Sequence, residues 1–84
     1  MASPQQTQSG AVRKHSVVLA GHATSLSLEA AFWDALVELA RRRRCSLNRL
    51  IETIDRERTA EGPRVNLSSA ARLCVLAAAR RGEL

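Results

Sequence analysis

The sequence predicts a mainly α fold: a short strand region, then three helices, completed by a second copy of the chain. Three observations carry this. Residues 23–28 alternate cleanly between apolar and polar. Three later stretches repeat their apolar residues at helical spacing. The third is a shortage. The chain has 84 residues and only 2% aromatics, Phe32 and Trp33, although 45% of its residues are hydrophobic. A chain this small buries only about 60% of its unfolded surface. Many thin apolar residues and two large ones make a poor monomer core and a good subunit.

Residues 1–12 are rich in Gln, Ser, Thr and Ala and read as a disordered leader. The remainder, 13–84, reads as one domain. Its strand region covers 16–28. Ser16 to Ala20 is apolar on both faces, and Gly21 then allows a bulge or sharp bend. One bent strand and two short strands both fit. From Ala23 onward the faces separate. Thr24, Leu26 and Leu28 share one side, and Ala23, Ser25 and Ser27 share the other. His22 has the inward parity.

The first helix is expected over 29–43. Glu29 suits the positive end of its dipole, and Arg41 to Arg44 suit the negative end. Phe32, Leu36, Leu39 and Ala40 form its apolar stripe, widened by Trp33 and Val37. The second helix is expected over 46–59, with Ser46 as N-cap. Leu47, Leu50, Ile51 and Ile54 follow at i, i+3, i+4 and i+7. Thr59 to Pro63 breaks it. A third helix over 67–81 is capped by Asn66 or Ser68 and has an Ala-rich face suited to close packing. A lone strand needs a hydrogen-bonding partner, which again points to a second chain.

Charge narrows the function. Thirteen basic residues face eight acidic ones, a net +5, and twelve of the thirteen are Arg. Arg presents a planar fork of donors suited to phosphate and guanine edges. Residues 1–28 hold Arg13 and Lys14 and no acid, whereas 29–60 hold seven Arg against six acids. This balance favours a nucleic-acid partner over plain solubility. No apolar run is long enough for a membrane span, and the N-terminus lacks a signal-peptide pattern, so a cytoplasmic setting is expected. His15, His22, Cys45 and Cys74 lack the close spacing of a zinc site. No catalytic constellation, metal or cofactor is expected.

The run from Thr24 to Ile51 resembles the ribbon-helix-helix (Arc/MetJ-like) DNA-binding family. It shows the alternating strand, the acidic helix start, the apolar helix ending Leu-Ala, a short polar turn, Ser-x-Asn and Leu-Ile. Residues 16–78 also resemble a short stand-alone bacterial subfamily with an extra C-terminal helix. It shares the Ala-Gly-His-x-Thr-Ser strand region, the Phe-Trp helix and the Asn-Leu-Ser-Ser start of the third helix.

The resemblance implies an intertwined homodimer. One strand from each chain pairs into an antiparallel ribbon, which enters the major groove of double-stranded DNA. It implies a transcriptional repressor at a two-fold related site. The alternative is a protein-interaction or antitoxin-like module that binds another protein through the third helix. Carried over, the base-facing residues are Ala23, Ser25 and Ser27. The backbone contacts are Ser46, Asn48 and Arg49 at the second helix start, Arg41, Arg42 and Arg44 before it, and Arg13 and Lys14 on a mobile arm. The dimer core is Leu26, Leu28, Phe32, Leu36, Leu39, Leu47, Leu50, Ile51 and Ile54.

Two positions depart from the family pattern. Its strands typically present Arg, Lys, Gln or Asn to the bases, and here the residues are short. Its first turn normally carries Gly where this chain has Arg44, so strain or a different turn is expected.

Overall fold

A computed structural model describes residues 10–62 and 65–84. Two strands, β1 (Val12–Leu19) and β2 (His22–Glu29), precede three helices. These are α1 (Ala30–Arg42), α2 (Leu47–Glu61) and α3 (Leu67–Arg80). Each helix falls within two residues of its expected bounds. Most of the expected leader, residues 1–9, lies outside the described residues, and Val12 already belongs to β1.

The strand region differs from expectation. It is an antiparallel hairpin within one chain, paired from Val12↔Glu29 to Leu19↔His22. The strand that seemed to lack a partner therefore has one in the segment just upstream. Ala20 and Gly21 form the two-residue turn with φ of 51° and 79°. Positive φ at both positions is what a type I′ hairpin turn requires, and its twist matches the strands. Continuous pairing carries β1 back to Val12. Arg13 and Lys14 thus sit in a regular strand, not on a mobile arm.

Pairing fixes the faces, because partners across the ladder point to the same side. Leu26 and Leu28 face the helices and are buried, joined from β1 by Val17. His15, opposite Leu26, stacks on Trp33 with ring centroids 3.6 Å apart. Thr24 shares this parity but lies near the exposed turn end.

Beneath the ribbon, α1 buries Leu36, Leu39 and Ala40, α2 buries Leu50, Ile51 and Ile54, and α3 buries Ala71, Val75 and Ala78. Phe32 and Leu47 pack against this core only partly buried. The residues expected to form a shared core therefore meet within one chain. Small residues on α3 let its backbone approach closely, which offsets the shortage of large side chains.

Polar ties hold α3 in place. Arg72 donates to both Glu29 carboxylate oxygens at 2.9 and 3.1 Å, and its guanidinium lies over the Phe32 ring. Arg72 holds the Glu29 carboxyl below the usual carboxylate range. Glu29 sits at the N-cap position of α1 without a side-chain capping bond, and its carboxylate is paired with Arg72.

At the other end, Glu83 accepts two bonds from Arg43 at 2.9 Å and two from Arg81 at 2.7 and 3.3 Å. Those guanidiniums, Arg43 first and then Arg81, lower the Glu83 carboxyl to about 2.

Two predictions follow from these contacts. Ala20 holds a left-handed conformation that an L-residue other than Asn or Asp adopts at a cost of about 1–2 kcal/mol. Ala20→Asn should raise stability by about 1 kcal/mol, read as a Tm increase of roughly 4–8 °C. Glu83 contributes stability only while it is ionised in the folded state. That contribution is present above the ordinary carboxylate value of 4.5 and fades as pH falls toward about 2. Glu83→Gln should lower Tm at neutral pH, and the gap to wild type should close by about pH 2.

Candidate nucleic-acid interface

The hairpin register defines an outer face turned away from the helices. Its cross-strand pairs are Val12↔Glu29, Lys14↔Ser27, Ser16↔Ser25 and Val18↔Ala23. Ala23 and Ser25 are exposed, and Ser27 is half-buried. All three have the expected outward parity. The structure adds four residues from β1 to the same surface: Val12, Lys14, Ser16 and Val18. Sequence reasoning placed Val12 in the leader and Lys14 on an arm, and missed the other two. The one available signal was Gly21 between two segments containing strand-forming residues, since Ala20 does not announce a turn. Arg13 has the opposite parity, pairing with Leu28, and stays exposed. The one carboxylate of outward parity, Glu29, is held by Arg72.

Helix ends flank the ribbon. In a two-residue hairpin, the residues beside the turn exchange hydrogen bonds, and pairing then alternates. The backbone groups of Val18, Ser16 and Lys14 therefore point off the outer edge of β1. Those of Ala23, Ser25 and Ser27 point off the outer edge of β2. Asn48 closes the first edge at the turn end. Its Oδ1 accepts from the Val18 N–H at 3.2 Å, and its Nδ2 donates to the Val18 carbonyl at 2.8 Å. On the second edge, the Ser68 hydroxyl donates to the Ser27 carbonyl at 2.7 Å. So Asn48 is a strand clamp, with its Oδ1 and one of its two Nδ2 hydrogens engaged by Val18. Asn suits this role because one side chain carries both a donor and an acceptor.

The clamp sets the N-terminus of α2 against β1. Ser46 caps that helix, its Oγ accepting from the Arg49 N–H at 3.0 Å. The other N–H groups of the first turn have no intrahelical acceptor, and the helix dipole favours an anion there. Arg49 is exposed beside this end.

The four-Arg run divides. Arg41 and Arg42 each reach Glu38 at 3.4 Å while remaining largely exposed. Arg43 is committed to Glu83. Arg44 is exposed and, like Arg49 and Lys14, makes no ion pair among the described residues. Arg44 also resolves the turn question. It adopts φ 58°, with Arg44 N–H bonded to the Arg41 carbonyl and Cys45 N–H to that of Ala40. This is a Schellman motif with Arg at the position usually held by Gly. The chain therefore keeps the family's turn and accepts its strain.

Among the described residues, no cluster of His, Cys, Asp or Glu is placed to hold a metal ion. No described helix is long and apolar enough to cross a membrane.

Comparison with known proteins agrees with this architecture. A family model described as a ribbon-helix-helix domain matches residues 12–79. A search of curated proteins finds no match. Among solved structures, the chain is similar to an uncharacterized protein from Bordetella pertussis Tohama I. Sequence identity is 34% and the TM-score is 0.75. The match covers 93% of this chain and 66% of that one, just under two thirds of its length. With the family match running from the start of β1 to the last turn of α3, the chain belongs to the ribbon-helix-helix domain family.

Proposed function

We propose that the protein is a DNA-binding transcriptional regulator, acting as a homodimeric repressor in the bacterial cytoplasm and on the nucleoid when bound. The observation that carries the reading is the outer face of the ribbon. It is open, it holds Lys14, and its one carboxylate is neutralised by Arg72. A two-stranded ribbon fits the major groove. Ala23, Ser25 and Ser27 then face base edges. Backbone phosphates are met by the Ser46-capped end of α2 and by Arg41, Arg42, Arg44 and Arg49. Arg13 and Lys14 add charge along β1. In the intertwined homodimer one strand from each chain would pair into the ribbon, and the dimer would read a two-fold related site.

Gel shifts over a salt series test this. Each lost phosphate contact should reduce the slope of log K against log salt by about 0.9. Arg42→Gln with Arg44→Gln should flatten it accordingly. An unaltered slope would remove these side chains from the interface, and a chain that binds no duplex at low salt would end the proposal.

A second reading, a protein-interaction or antitoxin-like module, is favoured by one feature. Leu73 and Leu76 on α3 are 58% and 52% exposed. Because α3 also supplies core residues, the test uses substitutions rather than truncation. Leu73→Gln with Leu76→Gln should leave Tm and DNA binding unchanged while abolishing partner binding. Under the first reading alone, both partner and duplex binding stay as in wild type.

A further inference from the structure

The outer side of α3 is a surface that DNA binding through the ribbon leaves unused. We infer that it is a second contact between copies of the chain, separate from the ribbon. Leu73 and Leu76 of two α3 helices meet across a two-fold axis, and Arg80 of each copy pairs with Glu61 of the other. The contact joins two ribbon dimers into a four-chain assembly.

The pattern of α3 is the first support. Its buried residues are Ala71, Val75 and Ala78. At about 100° per residue, Ser69, Leu73, Leu76 and Arg80 form a stripe on the opposite side. Leu73 and Leu76 are 58% and 52% exposed there, in a chain short of large apolar side chains. They stand one turn apart and make a patch, unlike the single apolar residues that any surface carries. A helix that is apolar on two opposite sides is covered on both. Beside the stripe a groove of about 240 Å³ runs between α2 and α3. Ile54, Cys74 and Ala77 line it, together with Leu73 and the exposed carboxylates of Glu57 and Glu61.

Charge identifies the occupant. Glu57 and Glu61 make no ion pair among the described residues, and neither does Arg80, exposed at the C-terminal end of the stripe. An acidic rim beside exposed leucines selects a basic, apolar helix face, and the chain's own α3 is one. A two-fold contact needs both halves on the same surface, and this surface has them. In an antiparallel contact centred between Leu73 and Leu76, Arg80 of one copy lies opposite Ser69 of the other. Ser69 belongs to the first turn of α3, which follows the end of α2 at Glu61. Arg80 therefore arrives at the part of the groove that Glu61 lines. The leucines exclude water from the centre, and the rim charges set the antiparallel register. The stripe points away from the core, so the contact leaves the strand edges to the ribbon.

The test measures the mass of the full chain without DNA, by sedimentation over a concentration series, so it stands apart from duplex binding. Wild type should reach four chains. Leu73→Gln with Leu76→Gln should stop at two, its assembly weakened at least about a hundredfold because the leucines of both copies lose their cover. A melting curve in dilute solution, where wild type is also at two chains, controls for folding. Arg80→Glu alone and Glu61→Arg alone should each weaken assembly about fivefold, the worth of two exposed ion pairs. The two changes in one chain should restore it. Equal masses for wild type and the leucine variant at every concentration would overturn the inference and leave the face to a different protein. Single charge changes without effect, or a combined change that recovers nothing, would overturn it as well. A wild type of two chains whose leucine variant has one would keep this contact and remove the ribbon dimer instead.

Discussion

The register of the hairpin is the constraint on which the rest of the molecule depends. Leu26 and Leu28 must face the helices, and they are 1% and 0% exposed. A shift of one residue would turn both to solvent and bring serines into the core. The two-residue turn at Ala20 and Gly21 then decides which residues of β1 share each face. Val17 joins the leucines, and Lys14, Ser16 and Val18 join the serines outside. The composition of the candidate interface is thus set by a turn several residues away from most of it. The edges reinforce the register. Asn48 and Ser68 bond backbone groups that only this pairing leaves unpaired, so a slipped hairpin would lose them too.

The same economy explains how so small a chain builds a core. A ribbon alone has one face to bury and two edges to satisfy, and α1 and α2 cover only part of this. The third helix covers more of the buried face and bonds one carbonyl of the β2 edge. Its small buried residues, Ala71 and Ala78, allow close approach, and Val75 fills the space between them. Its charged residue Arg72 reaches back to Glu29 at the junction of β2 and α1. That pair is partly exposed, so its contribution to stability is modest. Its effect is positional: it fixes the angle at which α3 meets the ribbon and withdraws the one acid from the outer face.

Much of this was legible. The helical periods located α1, α2 and α3, and Ser46 announced the capped start of α2; of the two candidates for α3, Asn66 and Ser68, the cap is Asn66. The alternation in β2 gave the parity of Leu26 and Leu28. The first strand was hidden for physical reasons. Its inward positions include Arg13 and His15, which break the apolar pattern. Arg13 lies at the open end of the ribbon, where charge stays in water. His15 finds an aromatic partner in Trp33. The turn was hidden as well, since Ala occupies a left-handed position that normally announces itself as Asn or Gly. With the hairpin unseen, a partner strand had to be sought in a second chain, and Lys14 was placed on an arm. The clamp role of Asn48 was hidden because it depends on a strand edge thirty residues away.

The two helix ends show where the basic residues are free to act. Both α1 and α3 finish in a Schellman motif with the same two hydrogen bonds. Gly82 takes the left-handed position in one, and Arg44 takes it in the other, at φ 81° and 58°. Glycine bears this conformation without penalty, whereas an arginine loses roughly 1–2 kcal/mol. Folding alone therefore favours glycine at both sites. What Arg44 adds is an exposed cation just ahead of the α2 N-terminus, close to where the Asn48 clamp joins that helix to the ribbon. Arg43, one residue earlier, is fully engaged by Glu83, and Arg72 by Glu29. The basic excess is thus divided between guanidiniums that hold the fold and cations left facing outward. Arg44 stands among the latter at a measurable cost in backbone strain, a cost that a contact with phosphate would offset.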